Sequence, residues 1–480
     1  MSWRVPLARY PGMNKFVLDW MDGDERFLWR TGNPACPDRQ DCLSSTRPLS
    51  IVTGQQVGFA GGPLYTLSKL ASVIRLKRDL EKQGIPVNAY FWLATEDHDF
   101  NEVAQLHVPV AGGQRDLVCI RAVRATPSRV AVGSLPVPEE LITQLLVLLD
   151  IERPSWLREG ITFRDSFAEL ITSIAGNEVT LIDSLDPELR RAGAPLFEQI
   201  RSKHDEIQKT LHERAQQLEQ AGYKEQVIPR DGDEYTLLFH IDAHGTRTPE
   251  RTARLQPGAR GGRAEARPYV TSTSALTRPL LQDFVLKPDI FIGGPAEVAY
   301  YAQLAPLHDL LDIPRPRVAL RGHVLVAPKR VARAFERYGI DPAEVFASPD
   351  AILAKREPEG VARVHALANE AKRDLMKRIE QIGELALPAD HSLAGSIERS
   401  IGHIEYHFDK LAERAIKGLV RKDRERYAAM RELVSTLYPD RHVQDRVASW
   451  FAYLCRNETF VERVVEEVEP DSPFFKVIEL

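Results

Sequence analysis

The chain has 480 residues, 43% hydrophobic, 27% charged and 8% aromatic, which is ordinary globular make-up and excludes a disordered, collagenous or fibrous protein. About three domains are expected at this length. A formal charge of −5 leaves no basic excess for nucleic acid, and no apolar run is long enough to span a bilayer.

The N-terminal string MSWRVPLARYPGMNKF lacks the apolar core of a signal peptide, so a cytoplasmic protein with no membrane partner is expected. Cys36, Cys42, Cys119 and Cys455 form no CxxC pair, so free thiols are expected and no structural metal site.

Residues 1–48, rich in Pro, Asp and Arg, read as an irregular lead-in. Leu49–Thr53 reads as a short apolar strand that runs into Gly54-Gln55-Gln56-Val57-Gly58-Phe59-Ala60-Gly61-Gly62-Pro63. Leu64, Leu67, Leu70, Ala71, Ile74 and Leu80 then recur at helical spacing until Gly84, with Pro63 suited to the first helical position. Val87–Ala94 is a near-continuous apolar run, as buried parallel strands are, which completes a βαβ unit.

Strands are expected near 106–110 and 117–120, mostly helix over 137–221 interrupted by a buried strand at 178–183, and one charged helix over 195–220. Short strands and the Gly/Arg-rich loop Pro257–Arg263 occupy 222–275; the loop reads as a surface hairpin or an anion-contacting lid. The α/β pattern returns with strand 289–292, Gly293-Gly294-Pro295, a helix over 296–311 and strand 317–320. Gly-Gly-Pro thus stands twice between an apolar strand and a helix, as two crossovers of one sheet would place it. The pattern divides the chain into an α/β core over 1–345, with insertions at about 125–190 and 222–275, and a helical domain over 346–480. Apolar residues in steps of three and four predict an antiparallel coiled-coil hairpin at about 361–384 and 395–432, with a seam that would suit a homodimer.

Four strings carry candidate chemistry. A helix start behind a glycine loop offers N–H groups and a positive dipole end to a phosphate or carboxylate. Gly54, Gln55, Gln56, Gly58 and Gly62, with Tyr65, Thr66 and Lys69 behind them, are candidate cofactor-binding residues, although neither GxxxxGK[ST] nor GxGxxG is present. Glu96-Asp97-His98-Asp99 begins where the second strand ends, at the ligand-binding edge of an open α/β sheet. Asp97, His98 and Asp99 are candidate catalytic groups; with Glu96 they could contact Mg²⁺, a ribose, a general-base proton or an ammonium. Arg278 and Gln282, four apart around Pro279, suit a carboxylate or phosphate, or else a surface salt bridge. Gly293, Gly294, Glu297 and Tyr300 repeat the helix-start logic of the first loop. His403 and His407, four apart, have no acidic partner.

Thr53–Gly58 with Gly62-Pro63-Leu64-Tyr65-Thr66 and Lys69, Trp92–Asp99, Arg278–Asp283 and Ile292–Tyr300, in this order, resemble the motifs of the BshC family, the cysteine-adding enzymes of bacillithiol biosynthesis. The resemblance implies a Rossmann-like nucleotide-binding core with inserted connecting segments, related to nucleotidylyltransferases and class I aminoacyl-tRNA synthetases, and a C-terminal α-helical coiled coil that pairs two chains. It also implies ligation of cysteine to glucosaminyl-malate. No HxGH or KMSKS string is present, so the ATP-activating residues of those superfamilies cannot be carried over.

The expected activity is therefore an ATP-consuming, amide-forming ligase, with cysteine activated as adenylate or acyl phosphate, ATP or ADP as nucleotide and Mg²⁺ as a candidate ion. Phosphates are expected on Gly58–Gly62 with Lys69, the malate or a phosphate on Arg278, and His98 or Asp99 as base. The alternatives are a nucleotide-binding scaffold or regulatory protein without ligase activity, and a nucleotidylyltransferase of other substrates.

Overall fold

The computed structural model describes residues 3–28, 47–110, 117–123, 129–227, 235–252, 270–354, 359–390, 393–422 and 424–480. Cys36, Cys42 and the Pro257–Arg263 loop lie outside the described residues. The chain divides into two compact units, Met1–Pro328 with Tyr438–Leu480, and Lys329–Leu437.

The first unit is built on a parallel five-stranded sheet of β2 (Leu49–Gln55), β3 (Val87–Leu93), β6 (Thr180–Asp183), β10 (Ile290–Gly293) and β11 (Arg317–Leu320), in the spatial order β11-β10-β2-β3-β6. Counted along the chain this is 5-4-1-2-3, the doubly wound order of dinucleotide-binding sheets. The order reverses between β2 and β10, where ligands bind in such sheets. β2 from Leu49 to Gly54 and all of β10 are buried, which is why both read as continuous apolar runs. Helix α2 (Leu64–Glu81) connects β2 to β3. Its apolar residues pack into the main core, and Lys82 and Gly84, the latter at φ +83°, close its end. Both Gly-Gly-Pro turns are crossovers of this sheet, since each follows one of two adjacent parallel strands.

Three smaller sheets complete the unit. β4 (Gln105–Pro109) pairs with β5 (Leu117–Arg121). β7 (Tyr235–Ile241) sits between β8 (Arg247–Arg251) and β9 (Val270–Thr273), all antiparallel. β13 (Phe474–Glu479) lies between β1 (Trp3–Pro6) and β12 (His323–Ala327).

Several expectations change. The lead-in is not wholly irregular: it holds β1 and helix α1 (Lys15–Met21), capped by the Asn14 side chain. The 125–190 segment is not a pure insertion, because β6 is a strand of the main sheet. The helix expected over 195–220 is two helices, its span covering the end of one and all of the next. Pro187 and Asp186 start the first helix, Lys203 takes a non-helical backbone and ends it, and the second runs over His204–Gln220. Residues 438–480, expected in the helical domain, belong to the first unit, because β13 needs β1 and β12 to satisfy its backbone.

The second unit is helical. Helices Glu359–Ala386 and Ala394–Lys422 pair antiparallel: a Cβ at Gly360 would meet Leu419, Lys372 pairs with Asp409 at 2.6 Å, and a Cβ at Gly383 would meet Ile397. The sum of the paired numbers stays nearly constant, as a hairpin requires. A third helix, Arg424–Leu437, follows.

Candidate functional site

At the switch point between β2 and β10 lies a cavity of about 620 Å³, within the range of about 300–1,000 Å³ typical of small-molecule sites. Its walls come from the ends of β2, β3 and β10, the starts of three helices, and the β7–β9 sheet. Leu237, Phe239 and Leu276 give it an apolar side.

The two Gly-Gly-Pro helix starts behave differently. At the first, Gly58 N donates to Gln56 O, Gly61 N to Gly58 O and Gly62 N to Phe59 O, so the loop satisfies its own donors. Leu64 N donates to Ala448 O at 2.8 Å, and Trp450 Nε1 donates to Gly61 O at 3.0 Å, so α2's start is closed by the C-terminal segment. Pro63 is its cap rather than its first residue. Lys69 is buried, donates to Gly54 O at 2.8 Å and Gln55 Oε1 at 2.9 Å, and pairs with Glu297 Oε2 at 2.5 Å. Burial lowers its pKa and Glu297 opposes that shift. Of the donors that a phosphate cradle on Gly58–Gly62 with Lys69 would use, the Gly58, Gly61 and Gly62 N–H groups and the ammonium are already engaged.

The second start faces the cavity. Gly294, Pro295, Ala296 and Glu297 line it, and the Glu297 carboxylate, drawn in by Lys69, also accepts from Gly294 N at 2.8 Å. Burial raises the Glu297 pKa, but Lys69 and Arg278 outweigh it and leave the carboxyl lowered. Arg278 donates to Gln282 Oε1 at 3.2 Å and to the Tyr300 hydroxyl at 3.3 Å, both neutral partners, and its charge acts on the nearby Glu297. Gln282 is fully buried and does not line the cavity; it passes a hydrogen bond to Asp283, which Tyr301 and His308 also hold. Gly293 is likewise off the cavity, and a Cβ there would come within 2.6 Å of Phe291. Arg321 reaches the cavity wall while paired with Asp445 at 2.8 Å.

The acidic string is mostly committed to structure. Glu96 is buried and accepts from Ser272 Oγ and Thr273 Oγ1 at 2.6 Å, accepts from Thr273 N at 2.9 Å, and pairs with Arg190 at 2.7 Å, locking β9 to the end of β3. Burial raises its pKa, but Arg190 and these hydrogen bonds leave it lowered. Asp97 accepts from Gln56 Nε2 at 2.6 Å and His98 N at 2.7 Å; despite burial, the His98 and Arg247 contacts bring it down to about 2. Asp99 lies off the cavity as the cap of helix α3 (Phe100–Val103), accepting from Glu102 N at 3.1 Å. His98 Nδ1 lies 2.8 Å from Arg247 Nη1. The same Nδ1 also lies 3.4 Å from Asp97 Oδ1, so this ring nitrogen faces a donor and an acceptor at once. Asp99 is a helix cap off the cavity, which corrects its assignment as a base, while His98 lines the cavity. Glu96, Asp97 and Asp99 also turn to different partners, so they do not converge on one ion.

Two cavity residues had no motif to mark them, and a third closed the acidic string. Arg247, on β8 in an insertion, stacks 3.9 Å over Phe239 and ties His98 to Ser272. Arg446 arrives from the C-terminal segment. Glu102 stood at the end of the acidic string, and its pKa is raised by burial and by Asp97 and Asp99.

Among the described residues no helix is long and apolar enough to cross a membrane. Residues 30–322 match the family described as "Bacillithiol biosynthesis BshC, N-terminal Rossmann-like domain", and residues 324–480 match its "C-terminal coiled-coil domain". Three similar proteins each bear the name "Putative cysteine ligase BshC". That of Solibacter usitatus is 29% identical, covering 89% of this chain and 83% of the relative. That of Koribacter versatilis is 30% identical, covering 85% and 79%, and that of Geobacillus kaustophilus 26% identical, covering 91% and 85%. The Arg278 and Gly294–Tyr300 strings that line the switch-point cavity thus lie within the matched N-terminal domain, and the chain belongs to the BshC family of ligases of bacillithiol biosynthesis.

Proposed function

We propose that the chain joins cysteine to the amine of glucosaminyl-malate in the last step of bacillithiol biosynthesis, at the expense of ATP, in the cytoplasm. The observation that carries this reading is Arg278, a cation with neutral partners beside the open start of helix α9 (Pro295–Leu310), facing a cavity at the topological switch point. Arg278 and the α9 start hold the malate carboxylates, with the Tyr300 hydroxyl fixing the guanidinium plane. The apolar side at Leu237, Phe239 and Leu276 takes the adenine.

ATP supplies the activation of the cysteine carboxylate. Mg²⁺ would travel with the phosphates, because the acidic string does not offer converging ligands. His98, oriented by Arg247, donates Nε2–H to oxygen charge that develops near the end of β3. The sugar amine attacks the activated carboxyl carbon as the free base; the C–N bond forms as the C–O bond to the activating group breaks, AMP or phosphate leaves, and the amine's surplus proton goes to solvent.

Incubating the protein with glucosaminyl-malate, cysteine, ATP and Mg²⁺, followed by mass spectrometry, tests this. An ATP-dependent product heavier by one cysteinyl residue is expected. Nucleotide binding without product contradicts the ligase reading and leaves a binding protein.

The hairpin is proposed as a homodimer contact. Leu367, Ile382, Leu385 and Leu411 on it are more than half exposed, apolar surface of the kind that marks interaction sites. Sedimentation at micromolar concentration should give a dimer, and Leu385→Lys with Leu411→Lys a monomer; a wild-type monomer would refute the pairing.

A further inference from the structure

A second cavity, of about 270 Å³, adjoins the first across Gln55, Gln56, Tyr65, Glu102 and Arg446, which line both. It lies below the size range of nucleotide-sized sites. Val103, Leu106 and Val447 give it an apolar side.

Two features point to a small ligand. Among the described residues, neither Glu102 nor Arg446 has an ion-pair partner, and they do not pair with each other. Both face the same space. Gln56 Oε1 and Thr66 Oγ1 are buried in its wall without a hydrogen-bond partner, and Thr66 is 1% exposed. Orphaned polar atoms of this kind are rare in a protein interior. Burial and the charges of Asp97 and Asp99 push the Glu102 pKa up, against the opposing effects of Gln56 and the more distant Lys69.

We propose that this second cavity is an α-amino-acid site that holds cysteine, the ammonium on Glu102 and the carboxylate on Arg446, with the thiol-bearing carbon against Val103, Leu106 and Val447. A zwitterion satisfies both unpaired charges at once, which a plain anion or a plain amine does not. The ammonium has three N–H donors, and the orphaned oxygens of Gln56 and Thr66 are acceptors for those that Glu102 leaves. Because Arg446 lines both cavities, the carboxylate it holds stands at their junction, open to an amine arriving from the larger one. This placement rests on the ligase reading for the identity of the amino acid.

The test compares cysteine with two analogues, cysteamine, which lacks the carboxylate, and 3-mercaptopropionate, which lacks the ammonium. Their affinities are measured by calorimetry on the full chain, Glu102→Gln and Arg446→Gln. Both side chains are exposed, and circular dichroism checks that the variants fold. The wild type should bind cysteine about tenfold or more tighter than either analogue, the usual worth of a charge-assisted contact. Glu102→Gln should weaken cysteine and leave 3-mercaptopropionate unchanged; Arg446→Gln should weaken cysteine and leave cysteamine unchanged.

Cysteine affinity that is absent in the wild type, unmoved in both variants, or lost equally for the analogues would overturn the placement. Ligation assays on the same samples separate the two claims. Turnover with an unchanged KM for cysteine in both variants keeps the ligase and rejects the site. The expected binding pattern without turnover keeps the site and rejects the ligase.

Discussion

The same tripeptide, Gly-Gly-Pro, opens α2 at residues 61–63 and α9 at 293–295, and the two starts do opposite work. At the first, Gly61 and Gly62 take φ of +80° and +71°, and Trp450 and Ala448 seal the turn. At the second, Gly294 sits at φ −77°, Glu297 caps the helix, and the turn faces the cavity beside Arg278. A helix start is an anion site only where nothing else has taken its donors. What decides between the two is a segment more than 380 residues away from the first turn, which no local reading of the turn can see.

Lys69 and Glu297 join the two starts, so breaking that pair is the harshest test of the comparison. Lys69→Met should cost about 3–5 kcal/mol of stability, the usual penalty for leaving one member of a buried pair uncompensated. Lys69→Met with Glu297→Gln should recover much of it. Urea unfolding of both variants checks this, and a double variant that loses as much as the single would show the pair to be idle.

Next in size is the glycine contrast. A Cβ on Gly61 would lie 2.3 Å from Trp450 Cζ2 on a left-handed backbone, whereas on Gly294 its nearest neighbour is Glu297 Oε2 at 3.4 Å. Gly61→Ala should therefore lose about 2–4 kcal/mol through strain and overpacking, and Gly294→Ala under about 1 kcal/mol. Equal midpoints in thermal unfolding would erase the distinction between a sealed and an open start.

His323 sharpens the account on the second side, since it and Arg321 share Asp445. Burial, then the charge of Arg321, brings its pKa down to about 4 from 6.5. The unfolded chain then binds more protons between these values, so stability is full above pH 6.5 and falls as pH drops toward 4. The slope should approach about 1.4 kcal/mol per pH unit for one proton. His323→Asn should flatten it; an unchanged slope would mean that this imidazole does not carry the effect.

The smallest expected change is at Asp99. Asp99→Ala should cost about 1 kcal/mol, the worth of a helix cap, and leave ligation intact. A large loss of turnover at unchanged stability would return Asp99 to the chemistry.

Much of this was legible in the sequence. The buried strands β2, β3 and β10 show as apolar runs, and the hairpin shows as steps of three and four. The strings at 54–69, 94–98 and 294–300 do converge on one cavity, because the ends of adjacent parallel strands must lie together. Side-chain partners were not legible. Glu96 is held by residues 176 and 177 positions away, and His98 by Arg247 at 149. A carboxylate-rich string reads alike whether its acids face a ligand or a distant strand. Arg446 and Arg247 carry no local pattern, since a lone arginine in a charged segment looks like solvated surface.

The central claim, that the second start and Arg278 form the anion end of the site, is tested most directly by calorimetry. Glucosaminyl-malate and malate-free glucosamine would be titrated into the wild type and Arg278→Ala. The account predicts that the wild type binds the malate-bearing sugar about 10- to 100-fold tighter, and that this preference disappears in the variant. A preference that survives in Arg278→Ala would contradict it and place the malate elsewhere.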